Sequence, residues 1–148
     1  MTHTTTTTFS TTQQISINAP AARVWEALTT PAIVSRFMFG AEVESTWQTG
    51  GPIVYRGVWE GQPYEDRGTI REAVPGRRLS TVTLNSLSGL DDDPENHIVI
   101  TYALAPDGDA RTTLSVTQDN NPSREAADLA GDNWVMTLAE IKQLVEAR

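Results

Sequence analysis

Apolar and polar residues alternate in the stretch "QQISIN", with Ile15 and Ile17 on one side and Ser16 on the other. A period of two over a short run predicts a half-buried strand. The period then lengthens. In "NAPAARVWEALTTP" Ala21, Val24, Trp25 and Leu28 stand at i, i+3, i+4 and i+7, which is one face of a helix. Pro20 suits a first helical turn, where its missing N–H costs nothing. Thr30-Pro31 reads as a second N-cap with proline at the first helical position, predicting a short helix through Ile33, Val34 and Phe37.

From Ala41 to Asp119 the period returns to two. Gly50-Gly51-Pro52, Gly61, Pro75-Gly76 and Pro106-Asp107-Gly108 supply tight-turn chemistry. Between them lie strand-like runs at about 41–47, 52–59, 65–74, 78–85, 97–105 and 110–118. The short gaps predict an antiparallel meander. The one long gap, "NSLSGLDDDPEN", reads as a solvated loop. Its Asp91-Asp92-Asp93 tip lacks the ligand spacing and central glycine of a calcium loop. For the run at 52–59 against 65–72 we expect Val54 opposite Ile70, Arg56 opposite Gly68 and Val58 opposite Asp66. A slip by one sets Arg56 against Arg67, which like-charge repulsion disfavours.

The chain closes on a helical stripe: Trp134, Leu138, Ile141 and Val145, preceded by the small residues Ala126, Ala127 and Ala130. Asn121 is the expected cap and Pro122 the expected first residue, with the helix running to about Ala147. Gly131 is expected to loosen its middle, since a helical glycine costs about 1 kcal/mol against alanine. The order is strand, two short helices, six strands and a long helix. That is an α+β class in which the last helix must cover the apolar face of a curved antiparallel sheet of about seven strands. The bulky end of the helix should pack as core, and the Ala126–Gly131 end should roof a hollow.

A length of 148 residues with 39% apolar and 20% charged positions suits one globular domain. We expect a disordered threonine-rich tail at 1–12 and a single domain at 13–148. The N-terminus has no secretory pattern and no apolar run is long enough for a membrane helix, so a cytoplasmic protein is expected. The formal net charge is −8, and the eleven basic residues comprise one lysine, Lys142, and scattered arginines. That balance argues against nucleic acid and against an anionic membrane as partners. The chain has no cysteine and two histidines, His3 and His97, so no metal site or other cofactor is expected. "TGGP" leads into a strand, whereas a phosphate cradle leads into a helix.

"ISINAPAARVWEALTTPAIVSRFM" resembles the opening of the SRPBCC (START-like, birch-pollen-allergen-like) superfamily, where a strand passes through an Ala-Pro step into a helix carrying Val-Trp. "STWQTGGPIVYRG", "GTIREAVPGRRLS" and "NWVMTLAEIKQLVE" are similar to one branch, the C-terminal domain of the activator of the heat-shock-protein-90 ATPase. The likeness spans about residues 13–147. It implies a helix-grip fold with a cavity between sheet and long helix. It implies no single activity, because the superfamily includes lipid carriers, hormone receptors, polyketide cyclases and cochaperone domains. Many relatives carry a histidine at the end of the last strand. Here that stretch is "SVTQDNNP", so no role of that histidine carries over.

Ligand-contacting residues are expected at Phe37, Met38, Tyr55, Arg56, Glu72, Tyr102, Ala130 and Trp134. Phe37 and Met38 would gate the cavity, and Tyr102 and Trp134 would wall it. Arg56, Asp66 and Glu72 are charges in apolar strand patterns; an inward Arg56 needs Asp66 or Glu72 beside it. The leading expectation is a binder of a small, largely apolar molecule, with a homodimer left open. The alternatives are a cyclase, dehydratase or hydrolase using Arg56, Glu72 or His97, and a cochaperone-like interaction module.

Overall fold

The computed structural model describes residues 9–84 and 96–147. The strands are β1 (Phe9–Ile17), β2 (Glu42–Ser45), β3 (Pro52–Trp59), β4 (Gln62–Val74), β5 (Arg78–Thr83), β6 (Ile98–Pro106) and β7 (Thr112–Asn121). The helices are α1 (Ala21–Thr29), α2 (Pro31–Phe37) and α3 (Arg124–Glu146). One seven-stranded antiparallel sheet has the order β1-β7-β6-β5-β4-β3-β2. It is the meander expected from the short turns, closed by β1 beside the last strand. The α+β helix-grip architecture of the sequence reading is thus present. The acidic tip Asp91-Asp92-Asp93 and residues 1–8 of the threonine-rich segment lie outside the described residues, whereas Phe9–Thr12 belong to β1.

Two local expectations are corrected. Ser123, not Asn121, caps α3, its Oγ accepting from the Ala126 N–H at 3.0 Å. Asn121 is buried in β7 instead, where its side chain donates to the Phe9 carbonyl at 2.8 Å. Thr30 precedes Pro31 as expected, but its hydroxyl donates back to the Glu26 carbonyl at 2.6 Å and caps nothing.

The larger correction is the register of β3 on β4. Trp59 faces Gln62, Arg56 faces Glu65 and Tyr55 faces Asp66. The turn decides this. Glu60 and Gly61 have φ of 49° and 81°, the paired positive values that a two-residue type I′ hairpin requires. The expected pairing of Arg56 with Gly68 would need a longer loop. In the observed register Ile53 and Tyr55 of β3, with Tyr64, Asp66 and Ile70 of β4, face inward. Arg56 and Glu65 face outward.

The core joins Ile17, Val24, Leu28, Ile53, Ile70 and Leu114 to the α3 stripe Leu138, Ile141 and Val145. Helix α3 rests chiefly on β1 and β7 and touches α1 and α2. Gly131 explains the seat. A Cβ there would lie 2.6 Å from Thr11 Oγ1 and 3.1 Å from Gln13 Nε2, so only a residue without a side chain lets β1 come this close. Gly131 is therefore a contact point, not the weak spot expected of it. Lys142 ties the far end of the helix to β1 by donating to the Ser16 carbonyl at 2.7 Å.

Candidate functional site

With α3 seated on β1 and β7, the strands β3 to β6 curve past it and leave a space. That space is a cavity of about 330 Å³, near the lower end of the roughly 300–1,000 Å³ usual for ligand pockets. Its apolar wall comes from Ile98 and Ile100 on β6, Ala130 and Trp134 on α3, and Met38 and Ala41 around the α2–β2 connection. The strand residues follow from alternation: Ile98, Ile100, Tyr102 and Leu104 occupy one face of β6, and the first two reach the cavity. A wider depression of about 890 Å³ between α1, α2 and the end of α3 involves Glu26, Arg36, Glu140 and Gln143. Half of its lining residues are exposed and the rest half-buried, which makes it a solvated groove.

Trp134 is held in place from several sides. Its indole N–H donates to Gln118 Oε1 at 2.8 Å, and Gln118 Nε2 donates to Asn121 Oδ1 at 2.7 Å. Asn121 then reaches the Phe9 carbonyl, so the chain of bonds runs from α3 across β7 to β1. Tyr102 stands edge-on to Trp134 with ring centroids 5.8 Å apart. A buried N–H without its acceptor would cost about 1–3 kcal/mol, so this network fixes the indole as a rigid wall.

The polar part of the lining gathers on β3 and β4. Tyr55 and Asp66 are cross-strand partners, and Tyr64 lies two residues from Asp66 on the same face. The ring of Tyr64 covers Gly57, its hydroxyl 2.7 Å from where a Cβ would stand. Burial, then the nearby Asp66 charge, raises the phenol pKa of both Tyr55 and Tyr64 above the ordinary tyrosine value. Part of Tyr55 is accessible where it lines the cavity, but its hydroxyl lies deep in the fold, and depth governs ionisation. Tyr102 is raised as well, by burial and then by Tyr55.

Residues 18–146 match the family described as activator of Hsp90 ATPase homolog 1-like protein. The chain belongs to that family. This is the branch of the SRPBCC superfamily that the sequence motifs resemble. No curated protein matches the chain. Among solved structures, ChR145 from Cytophaga hutchinsonii is 36% identical, with 94% of each chain covered and a TM-score of 0.82. CV1439 from Chromobacterium violaceum is 22% identical over 93% of this chain and 96% of its own, with a TM-score of 0.77. CalU16 from Micromonospora echinospora is 22% identical over 92% of this chain and 73% of its own, with a TM-score of 0.71. The last two share the fold.

Within this Hsp90-ATPase-activator-like fold, Met38, Tyr55, Ala130 and Trp134 come together around the cavity. Tyr102 sits behind Trp134, and Phe37 is buried in the core at the end of α2. Arg56 and Glu72 are elsewhere. Arg56 binds Glu44 at 2.6 Å and Glu65 at 2.8 Å on the outer face of the sheet. Glu72 meets Arg78 there at 2.8 Å. The register that places Tyr55 inward places Arg56 outward, and the β-bulge between Ile70 and Glu72 turns Glu72 to the outer face. His97 precedes β6 and is not part of the lining. Tyr64, Asp66, Gln118, Asn133 and Thr137 line the cavity without having been chosen from sequence. Asp66 and Gln118 carried a signal, each being polar at an inward position of an apolar alternation. Asn133 and Thr137 carried none beyond their spacing from Trp134.

Proposed function

We propose that this protein binds a small, largely apolar molecule in the cavity between the sheet and α3, and releases it unchanged. The observation that supports this is the cavity itself, walled by Ile98, Ile100, Met38 and a braced Trp134. Burying apolar ligand area is worth about 25 cal/mol per Å². A preformed wall spares the ordering that binding would otherwise require. Of the acid–base residues named for an enzymatic reading, Arg56 and Glu72 are ion-paired on the opposite face of the sheet and His97 is not in the lining.

A thermal-shift titration with a neutral apolar probe such as 1-phenylbutane tests the reading. Ligand at 100 times Kd adds about 2.7 kcal/mol of stability by mass action. Ala130→Trp fills the cavity and should abolish the shift while the fold, read by circular dichroism, survives. No shift in the unmodified protein, or an undiminished shift in Ala130→Trp, refutes it.

A second reading, a protein-contact module of the cochaperone kind, has one specific support. Phe39, 65% exposed, packs edge-on against the 49% exposed Trp59. Exposed apolar clusters of this sort mark contact surfaces. Under that reading Trp59→Ser, outside the cavity lining, removes stimulation of an Hsp90-type ATPase and leaves probe binding intact.

A further inference from the structure

The polar groups of the lining are not equally occupied. Gln118 has its oxygen committed to Trp134 and its nitrogen to Asn121. Asp66 is engaged in an interaction of its own. Thr137 stands on α3, where a threonine hydroxyl can turn to the carbonyl one turn back. The Tyr55 phenol, on a rigid ring, has no such recourse. Among the described residues its hydroxyl makes no hydrogen bond, and Asp66 across the strand pair acts on it only as a nearby charge. No buried side-chain oxygen of the described residues lacks a partner, so a hydroxyl without one still touches open space. For Tyr55 that space is the cavity it lines. Burial, then the Asp66 charge, keeps the phenol protonated at physiological pH, so the group offered to the cavity is an O–H donor.

Resting on the ligand-binding reading above and sharpening it, we propose that the cavity takes a neutral apolar molecule bearing a carbonyl oxygen, such as a ketone or an ester, and that this oxygen accepts the Tyr55 O–H. In the empty cavity water can meet that O–H. A hydrocarbon guest displaces the water and strands the donor, whereas a carbonyl restores the lost bond. A carboxylate would also satisfy the donor. But no lysine, arginine or histidine stands among the described lining residues to balance it, and burying an unpaired charge costs far more than burying a ketone. Met38, Ile98, Ile100 and Ala130 offer the rest of the guest apolar contact only. Tyr55 therefore sets the guest's orientation and selects an acceptor over a plain hydrocarbon.

Two probes with one carbon skeleton decide this: 1-phenylbutane and 1-phenylbutan-1-one. Their dissociation constants are measured by calorimetry at pH 7 on the unmodified protein and on Tyr55→Phe. Comparing each probe across the two proteins cancels the unequal hydration of the probes. Tyr55→Phe removes an oxygen that bonds to nothing in the described protein, so the fold, read by circular dichroism, should survive. The variant should bind the ketone about tenfold more weakly and the hydrocarbon about threefold more tightly, moving the ratio of the two constants about thirtyfold. A ratio that moves by less than about fivefold overturns the inference and leaves the apolar-ligand reading standing. Binding of the hydrocarbon without the ketone does the same. Should the variant not fold, the infrared C=O stretch of the ketone bound to the unmodified protein decides. A band below its position in hexane supports the hydrogen bond, and an unshifted band overturns it. If 1-phenylbutane does not bind the unmodified protein, the apolar-ligand reading fails and takes this inference with it.

Discussion

Replacing Gly131 by alanine sets two effects of known sign against each other. In an ordinary helix interior the change stabilises by about 1 kcal/mol, because alanine loses less backbone freedom on folding. Here the new methyl would stand 2.6 Å from Thr11 Oγ1, well inside contact distance. Thr11 is β-branched and stiff, and its hydroxyl accepts from Gln13 Nε2 at 3.4 Å, so it does not move aside freely. Overpacking of this kind costs about 1–3 kcal/mol. The net expectation is a destabilisation of roughly 0–2 kcal/mol. In a Thr11→Ala background the obstruction is gone. The next neighbour, Gln13 Nε2 at 3.1 Å, is the free end of a flexible side chain. There Gly131→Ala should stabilise by about 1 kcal/mol. Urea unfolding of all four proteins, followed by the fluorescence of the four tryptophans, closes the double-mutant cycle. A gain of about 1 kcal/mol from Gly131→Ala alone, or a coupling below about 0.5 kcal/mol, refutes the view that this glycine seats α3 on β1.

Tyr55 and Tyr102 have folded-state pKa values raised above those of the unfolded chain, so the native state holds their protons more tightly. The stability this provides is complete below the unfolded value near ~10 and fades as pH rises above it. Absorbance near 295 nm should therefore show at most one of the three tyrosines ionising before the fold gives way, whereas the urea-unfolded chain titrates all three near pH ~10. Two or three phenols titrating normally in the native protein would contradict the buried placement. Glu60→Asn puts a residue that tolerates positive φ at the first position of the β3–β4 turn. It should raise stability by about 0.5–1 kcal/mol in chemical denaturation, and a loss would count against the type I′ turn and its register.

Much of the fold was legible along the chain because secondary structure leaves a periodic trace. The run at 52–59 is β3, Pro31 opens α2, the even positions of β6 face inward, and Trp134, Leu138, Ile141 and Val145 are the buried stripe of α3. Each follows from spacing within one segment, since burial of one face imposes a period of two or 3.6. Register is not such a property. It rests on the turn, and Glu60-Gly61 is a hairpin turn without the asparagine or aspartate that usually marks one. Gly61 marked a turn but not its two-residue length, and the longer loop assumed there carried Arg56 inward, while the fold puts it on the outer face and gives Tyr55 and Asp66 to the cavity.

The cavity belongs still more to tertiary structure. Sequence determined that α3 has small residues before Trp134, and that its bulky half would be core. It did not determine what the small residues face. In the fold Gly131 meets Thr11 of β1, and Ala130 borders the open space on the other flank. A hollow is a difference between distances set by separate contacts, here α3 held to β1 and β7 while β3 to β6 bend away. No single segment encodes that difference. It exists only once the sheet has closed around the helix.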